Sequence, residues 1–397
     1  MRIGIDASCW HNNRGFGRFT RELLSEMIKQ PRDHQFLVFS DDDDVEDLDK
    51  LGAETIKINV RRRVIDAATA KDQRSISDIL SFTRAAHQQK LDLLFYPAVY
   101  SWFPTPFGVP SVITFHDAIA EHFPDLVFPG ARERVMWNLK CWLAKKSCAK
   151  ILTVSRSAKS EIIEYLKIPS EKIDVICEGA DRVFKKIIDA EILRTTREKY
   201  ELPLQSRLLC YVGGFAPHKN LSRLIDAFEI AIGDPGCSDL QLVMIGEARG
   251  GGYNSNYNEL MNKVLAQEKL ASRVRFIGYV SDEDLAALYS DSLALALPSL
   301  SEGFGLPALE AMSCGTPVLA SHGGAVMEVA GAAGLSFDPF DVADIAKAIT
   351  TLATDSSLSQ KLRKRAIPET ERNTWRQAAE LTLDSLESYQ QGGSCGS

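Results

Sequence analysis

Ser301-Glu302-Gly303-Phe304-Gly305-Leu306-Pro307-Ala308-Leu309-Glu310 is a loop that turns into a helix. The run before it, Ser292-Leu293-Ala294-Leu295-Ala296-Leu297-Pro298, is short and apolar and ends in proline, the pattern of a buried strand. The run after it is helical from Pro307 to Cys314, because proline suits a first helical turn and Gly315 suits a stop. The unit is therefore strand–loop–helix. The free backbone N–H groups and the dipole at its helix start suit a phosphate. Glu302 in the loop and Glu310 about one turn into the helix can face the same crevice. Two carboxylates beside an anion site make sense when the ligand also carries hydroxyls, as a sugar nucleotide does.

The same alternation runs along the chain, which points to an α/β fold with doubly wound parallel sheets. Strand patterns fall at Arg2–Ala7, Gln35–Ser40, Leu93–Tyr96, Ser111–Phe115 and Lys150–Val154, with helical patterns at Gly17–Lys29, Ile76–Gln89, Ala131–Ser147 and Ser157–Leu166. A second series has strands at Arg207–Gly213, Leu240–Ile245, Val274–Ile277, Leu293–Leu297 and Pro317–Ala320. Its helices are Asn220–Ile232, Asn258–Gln267, Asp282–Tyr289 and Pro307–Cys314. Ile176-Cys-Glu-Gly-Ala-Asp181 reads as the end of the first domain's last strand and the start of a hinge. The expected domains are 1–185 and 200–370, followed by a terminal helix over 371–390.

With 397 residues the chain can bury two cores. Its net charge of −7 argues against nucleic acid as a partner. The eight cysteines contain no C-x-x-C pair, which speaks for reduced core thiols and a cytoplasmic protein without a zinc site. Arg2–Asp6 is already a strand pattern, so no signal peptide is expected. The apolar stretch Leu93 to Phe115 is broken by Pro97, Pro104, Pro106 and Pro110 and does not read as a membrane span. Asp41-Asp42-Asp43-Asp44 contains a D-x-D string but reads as a solvated loop, and no metal is assigned to it.

Tyr211-Val212-Gly213-Gly214-Phe215-Ala216-Pro217-His218-Lys219-Asn220 repeats the logic of the first loop. A strand ends in two glycines, which let backbone approach a diphosphate, and Lys219 adds a point charge. A third strand, Ser111–Phe115, ends in His116-Asp117, where side chains of such sheets meet ligands. Asn13-Arg14-Gly15-Phe16-Gly17-Arg18 links the first strand to the first helix, but Thr20 stands where a dinucleotide fingerprint needs its third glycine.

Glu302 and Glu310 enclose seven residues, within the phrases Glu302-Gly-Phe-Gly-Leu-Pro307 and Glu310-Ala-Met-Ser-Cys-Gly-Thr-Pro317. This resembles the signature of the retaining glycosyltransferases of family 4. The resemblance implies the GT-B arrangement, two Rossmann-like domains facing a cleft, with the acceptor on the N-terminal domain and the nucleotide-sugar donor on the C-terminal one. In this reading Lys219 meets the donor phosphates, Glu302 the sugar hydroxyls, Glu310 the ribose hydroxyls and His116 the sugar. Gly214 and the amides at Phe304, Gly305 and Leu306 lie along the diphosphate. The backbone at Val280, ending Arg275-Phe-Ile-Gly-Tyr-Val280, reads the base. Gly15 and Gly17 belong to a mobile loop over the donor. The implied chemistry uses no cofactor and no metal. One departure stands out: many family members carry arginine where this chain has Gly214, so Arg249 or Arg18 would have to help neutralise the diphosphate.

Gly213-Gly-Phe215, Pro217-His-Lys-Asn220 and Thr114-Phe-His-Asp117 look most like bacterial mannosyltransferases of polysaccharide assembly. The expected donor is therefore GDP-mannose, with a UDP-hexose next, and the acceptor a glycan or lipid-linked glycan. A sugar-nucleotide epimerase of the same fold and a non-catalytic sugar-nucleotide binder are the rival classes. The loops Arg61 to Gln73 and Tyr96 to Pro110 are expected to select the acceptor. The basic, amphipathic segment Ala131–Lys146, with Val135, Leu139 and Trp142 on one face, reads either as a packed surface helix or as a peripheral contact with the inner face of a membrane.

Overall fold

The computed structural model describes residues 1–12, 15–41, 46–60, 75–128, 130–247 and 256–392. The chain forms two compact units, Met1–Glu178 with Thr374–Ser397, and Gly179–Asn373.

Among the described residues, the first unit holds seven parallel strands: β1 (Arg2–Asp6), β2 (Gln35–Ser40), β3 (Glu54–Lys57), β4 (Leu93–Tyr96), β5 (Ser111–Thr114), β6 (Lys150–Thr153) and β7 (Ile173–Val175). Their order is β3-β2-β1-β4-β5-β6-β7. Every residue of β4 and β5 is buried, as in a parallel sheet covered on both faces.

The second unit holds β8 (Arg207–Val212), β9 (Leu240–Ile245), β10 (Val274–Gly278), β11 (Ser292–Leu297), β12 (Val318–Ser321) and β13 (Gly334–Phe337). All are parallel, in the order β10-β9-β8-β11-β12-β13. This is the doubly wound order, and it reverses between β8 and β11, where Leu295 pairs with Cys210. In doubly wound sheets the loops that leave the carboxyl ends of the strands at such a reversal are where ligands bind.

The elements differ from the sequence patterns mainly at the sheet edges. β3 and β13 escape the pattern reading because each is four residues long, lies at an edge and has at most one buried residue. β7 stops at Val175, so Ile176–Asp181 follows the strand instead of ending it. The second unit begins at Gly179 and includes the helix Ala190–Lys199. That helix is held by Arg197, whose buried guanidinium donates to Asp291 and to the carbonyls of Pro203 and Ser206.

The chain returns to the first unit at Thr374. The helix Trp375–Gly392 lies against the helix Gly15–Lys29, with Trp375 and Phe19 rings 6.0 Å apart. Arg32 pairs with Asp384 (2.7 Å) and Glu387 (2.9 Å), and the Ser385 hydroxyl donates to Asp174 at 2.7 Å.

The helix Ala131–Ser147 buries Trp137, Cys141 and Ala144. Its other face is open: Val135, Leu139 and Trp142 are 63%, 48% and 50% exposed. No described helix is long and apolar enough to cross a membrane.

Candidate functional site

Lys219 and Glu302 meet at the strand-order reversal of the second unit. Lys219 ends the turn Pro217–Lys219 after β8, and Glu302 lies in the loop after β11. The Lys219 ammonium donates to Glu302 Oε1 at 2.6 Å, with about a fifth of each side chain exposed, 19% and 17%. The Ser299 hydroxyl donates to the same oxygen at 2.6 Å. Burial opposes the charged form of Glu302, but Lys219 and Ser299 outweigh it and hold the carboxyl below its ordinary value.

Backbone and amide bonds tie these two loops together. The Leu300 N–H donates to the His218 carbonyl at 2.9 Å. The Asn220 side chain donates to the carbonyls of Pro298 (3.1 Å) and Pro339 (2.7 Å). Asn220 is buried, with a left-handed backbone (φ 59°), a conformation asparagine tolerates better than most residues. Burial first, then Lys219, pushes the His218 imidazole down to about 3 against the opposing pull of Glu302, so the ring beside the pair is neutral at pH 7.

The glycines differ in what they permit. Gly213 has φ +148°, and a Cβ there would lie 2.8 Å from the Tyr211 hydroxyl, which donates to the Gly214 carbonyl. A Cβ on Gly214 would meet nothing within 4 Å. Gly305 is left-handed (φ +104°) and caps the helix Leu306–Ser313, which carries no side-chain cap. Its N–H end is thus built from backbone alone, with Pro307 in the first turn. Phe304 is buried beneath this turn, Leu306 is half-buried, and Glu310 is 4% exposed within the helix. Val280 is buried too, two residues past the left-handed Gly278 that ends β10 (φ +73°).

The remaining sequence candidates lie in the first unit. His116 follows β5 and is 7% exposed. Its Nε2 is 2.9 Å from the Pro97 carbonyl, and its Nδ1 is 3.5 Å from Glu178. Gly15 and Gly17 begin the helix Gly15–Lys29, which places both in its first turn and not in the linking loop to which the sequence reading assigned them. Gly17 is buried, and a Cβ there would stand 1.8 Å from the Asn12 carbonyl oxygen; close packing requires this glycine. Arg18 belongs to the same helix. Arg249, Asp42–Asp44 and the loop Arg61 to Gln73 lie outside the described residues.

Structure thus joins Lys219 to Glu302 and adds Ser299, His218 and Asn220, which the sequence reading passed over or noted only as neighbours. Ser299 could have been found, since it sits three residues before Glu302 in the same loop. Asn220 left only a faint signal, an asparagine at a strand-to-helix turn.

Comparison with known proteins agrees with this architecture. Residues 13–183 match the family model Glycosyltransferase Family 4, and residues 194–369 match Glycosyl transferases group 1. An O-antigen chain mannosyltransferase B of Escherichia coli is 31% identical over 276 residues, 69% of each chain. The serotype-specific mannosyltransferase WbdA of Escherichia coli is 30% identical over 237 residues, and the match spans 28% of that longer protein. The crystal structure of Anabaena Alr3699/HepE in complex with UDP-glucose is 20% identical with a TM-score of 0.73, covering 98% of this chain and all of that one.

Proposed function

Because this chain belongs to glycosyltransferase family 4 and has the GT-B fold, we propose that it moves mannose from GDP-mannose to a glycan or lipid-linked glycan with retention of configuration. That it is a hexosyl-transferring enzyme follows from the family; the donor, the stereochemistry and the residue roles are our reading. The observation that carries it is the half-buried Lys219–Glu302 pair at the strand-order reversal, between a glycine turn and an uncapped helix start. The mannosyltransferases named above support the choice of sugar.

In this reading, breaking the anomeric bond builds negative charge on the departing diphosphate. Lys219 has one N–H on Glu302 and two more to offer the phosphates. The N–H groups at Gly305 and Leu306 add a preorganised dipole. Together they supply the positive charge that a metal supplies elsewhere, so the reaction proceeds without one. Glu302, held ionised, accepts from donor-sugar hydroxyls; Glu310 accepts from the ribose. Gly214 gives the diphosphate room, and Val280 presents backbone to the base. His116 meets the sugar.

Binding and slow hydrolysis across GDP-, UDP-, ADP- and dTDP-sugars, with the anomeric configuration read by NMR, test this. Turnover of GDP-mannose to GDP with retention is expected. Selective turnover of a UDP-hexose would move the chain to the runner-up donor, and an altered sugar formed without acceptor would make it an epimerase. Lys219→Ala and Glu302→Ala should each lose about 10²–10³-fold in kcat while staying folded. Near-normal transfer by either would overturn its role.

The open face of Ala131–Ser147 favours a membrane contact. Val135, Leu139 and Trp142 are exposed, and Arg132, Arg134 and Lys146 are exposed with them, while Lys140 and Lys145 turn inward to the carbonyls of Tyr100 and Leu166, in a chain of net charge −7. Such a face suits anionic lipid. This supports a cytoplasmic protein that works at the inner face of a membrane.

A further inference from the structure

We propose that Glu178 is a positioning residue that acts through His116. This rests on the reading that His116 meets the donor sugar. Glu178 is the last residue of the first unit before the chain leaves it. It is 4% exposed, its carboxylate oxygen Oε1 stands 3.5 Å from His116 Nδ1, and His116 is itself 7% exposed.

The other ring nitrogen settles the chemistry of the pair. The Pro97 carbonyl, 2.9 Å from Nε2, can only accept, so Nε2 carries a proton. Nδ1 then faces the Glu178 carboxyl at 3.5 Å, a gap that one shared proton would bridge. Either the acid donates to a bare Nδ1, or an imidazolium donates to a carboxylate. Both states hold the ring in one orientation, and both need Glu178. Burial raises the Glu178 carboxyl, and His116 partly offsets this, which fits a proton held within the pair.

The ring is also wedged by aromatics. Phe16 and Phe19 meet it edge-on, with centroids 5.1 and 4.5 Å away. Phe19 lies against Trp375, at the point where the chain returns to this unit. Cys177, just before Glu178, places its Sγ 3.7 Å from the Thr374 carbonyl. The departing and returning segments therefore touch each other, and both are anchored around His116.

The test uses the full chain with ¹⁵N-labelled histidine. Long-range ¹H–¹⁵N spectra of the His116 ring, assigned with His116→Ala, are compared for wild type, Glu178→Gln and Glu178→Ala. We expect a protonated Nε2 in wild type. Glu178→Gln, whose amide still donates to Nδ1, should keep that tautomer, and Glu178→Ala should move the Nδ1 resonance while Nε2 stays protonated on the Pro97 carbonyl. Ring signals unchanged in Glu178→Ala would overturn the proposal. In GDP-mannose hydrolysis, Glu178→Ala should lose about 10–100-fold in kcat with KM within threefold, as a misplaced group does. Glu178→Gln should recover most of it, and His116→Ala/Glu178→Ala should be no slower than His116→Ala. Additive losses in the double variant would overturn action through His116. If wild type itself turns over no GDP-mannose, the donor reading fails while the ring spectra still decide the proposal.

Discussion

Gly17 and Gly214 are both glycines in loops that the sequence assigns to the donor, yet they are glycine for opposite reasons. At Gly17 an added Cβ would lie 1.8 Å from a backbone oxygen, and backbone cannot swing aside. Gly17→Ala should cost about 2–3 kcal/mol in urea unfolding. Gly214 opens on empty space, so Gly214→Arg, which supplies the arginine that the family resemblance led one to expect, should change stability by less than about 0.5 kcal/mol. It should tighten GDP roughly tenfold in calorimetry, the worth of one charge-assisted hydrogen bond. No gain in affinity would mean the diphosphate lies elsewhere. His218 makes a pH prediction. Its folded value of about 3 lies below the ordinary 6.5, so the unfolded chain takes up the proton first. Stability from this ring is complete above pH 6.5 and falls as pH drops toward 3. Substituting His218→Gln should flatten the acid limb of stability measured by urea unfolding from pH 7 to 4, and an unchanged slope would count against a buried neutral ring. Lys219 and Glu302 were legible in the sequence because each sits in a motif set by local chain geometry. Glu178 was not, since its partner lies 62 positions away, at His116, and only the sheet brings them together.

At the level of elements, the helix Ala131–Ser147 shows what periodicity can and cannot say. The 3.6-residue pattern correctly groups Val135, Leu139 and Trp142, but an apolar stripe carries no label for inside or outside. Here Trp137, Cys141 and Ala144 take the inner face, and the grouped residues are left in the open. Leu139→Glu with Trp142→Glu should leave the unfolding midpoint nearly unchanged, because both side chains are about half exposed. The same pair should lower sedimentation with phosphatidylglycerol vesicles about tenfold or more. Equal sedimentation of wild type and variant would end the membrane reading. Strands obey a related rule. β9 and β11 announce themselves because six successive residues are buried, whereas the edge strands β3 and β13 have no such run to show.

At the level of the whole molecule, the two units differ in continuity. The second is one uninterrupted segment, Gly179–Asn373, while the first needs both ends of the chain. Arg32, His34 and Asp174 all bond to the terminal helix, through Asp384, Glu387 and Ser385. Removing residues 374–397 should strip the first unit of its cooperative transition and spare that of the second, as followed by urea unfolding with hydrogen exchange. Two intact transitions in the truncated chain would show the helix to be dispensable. The division also orders events on the ribosome. Residues 1–178 of the first unit emerge ahead of the second unit, and the first unit cannot be completed until the helix Trp375–Gly392 has emerged too, by which time all of the second unit has been released. The later-coded unit therefore matures first, and a half-built parallel sheet with exposed apolar surface waits through nearly half the time of synthesis. Codon choice, synthesis rate and holding chaperones will bear on the yield of this protein through that waiting sheet, and the unit that carries Lys219 and Glu302 will be largely insulated from them.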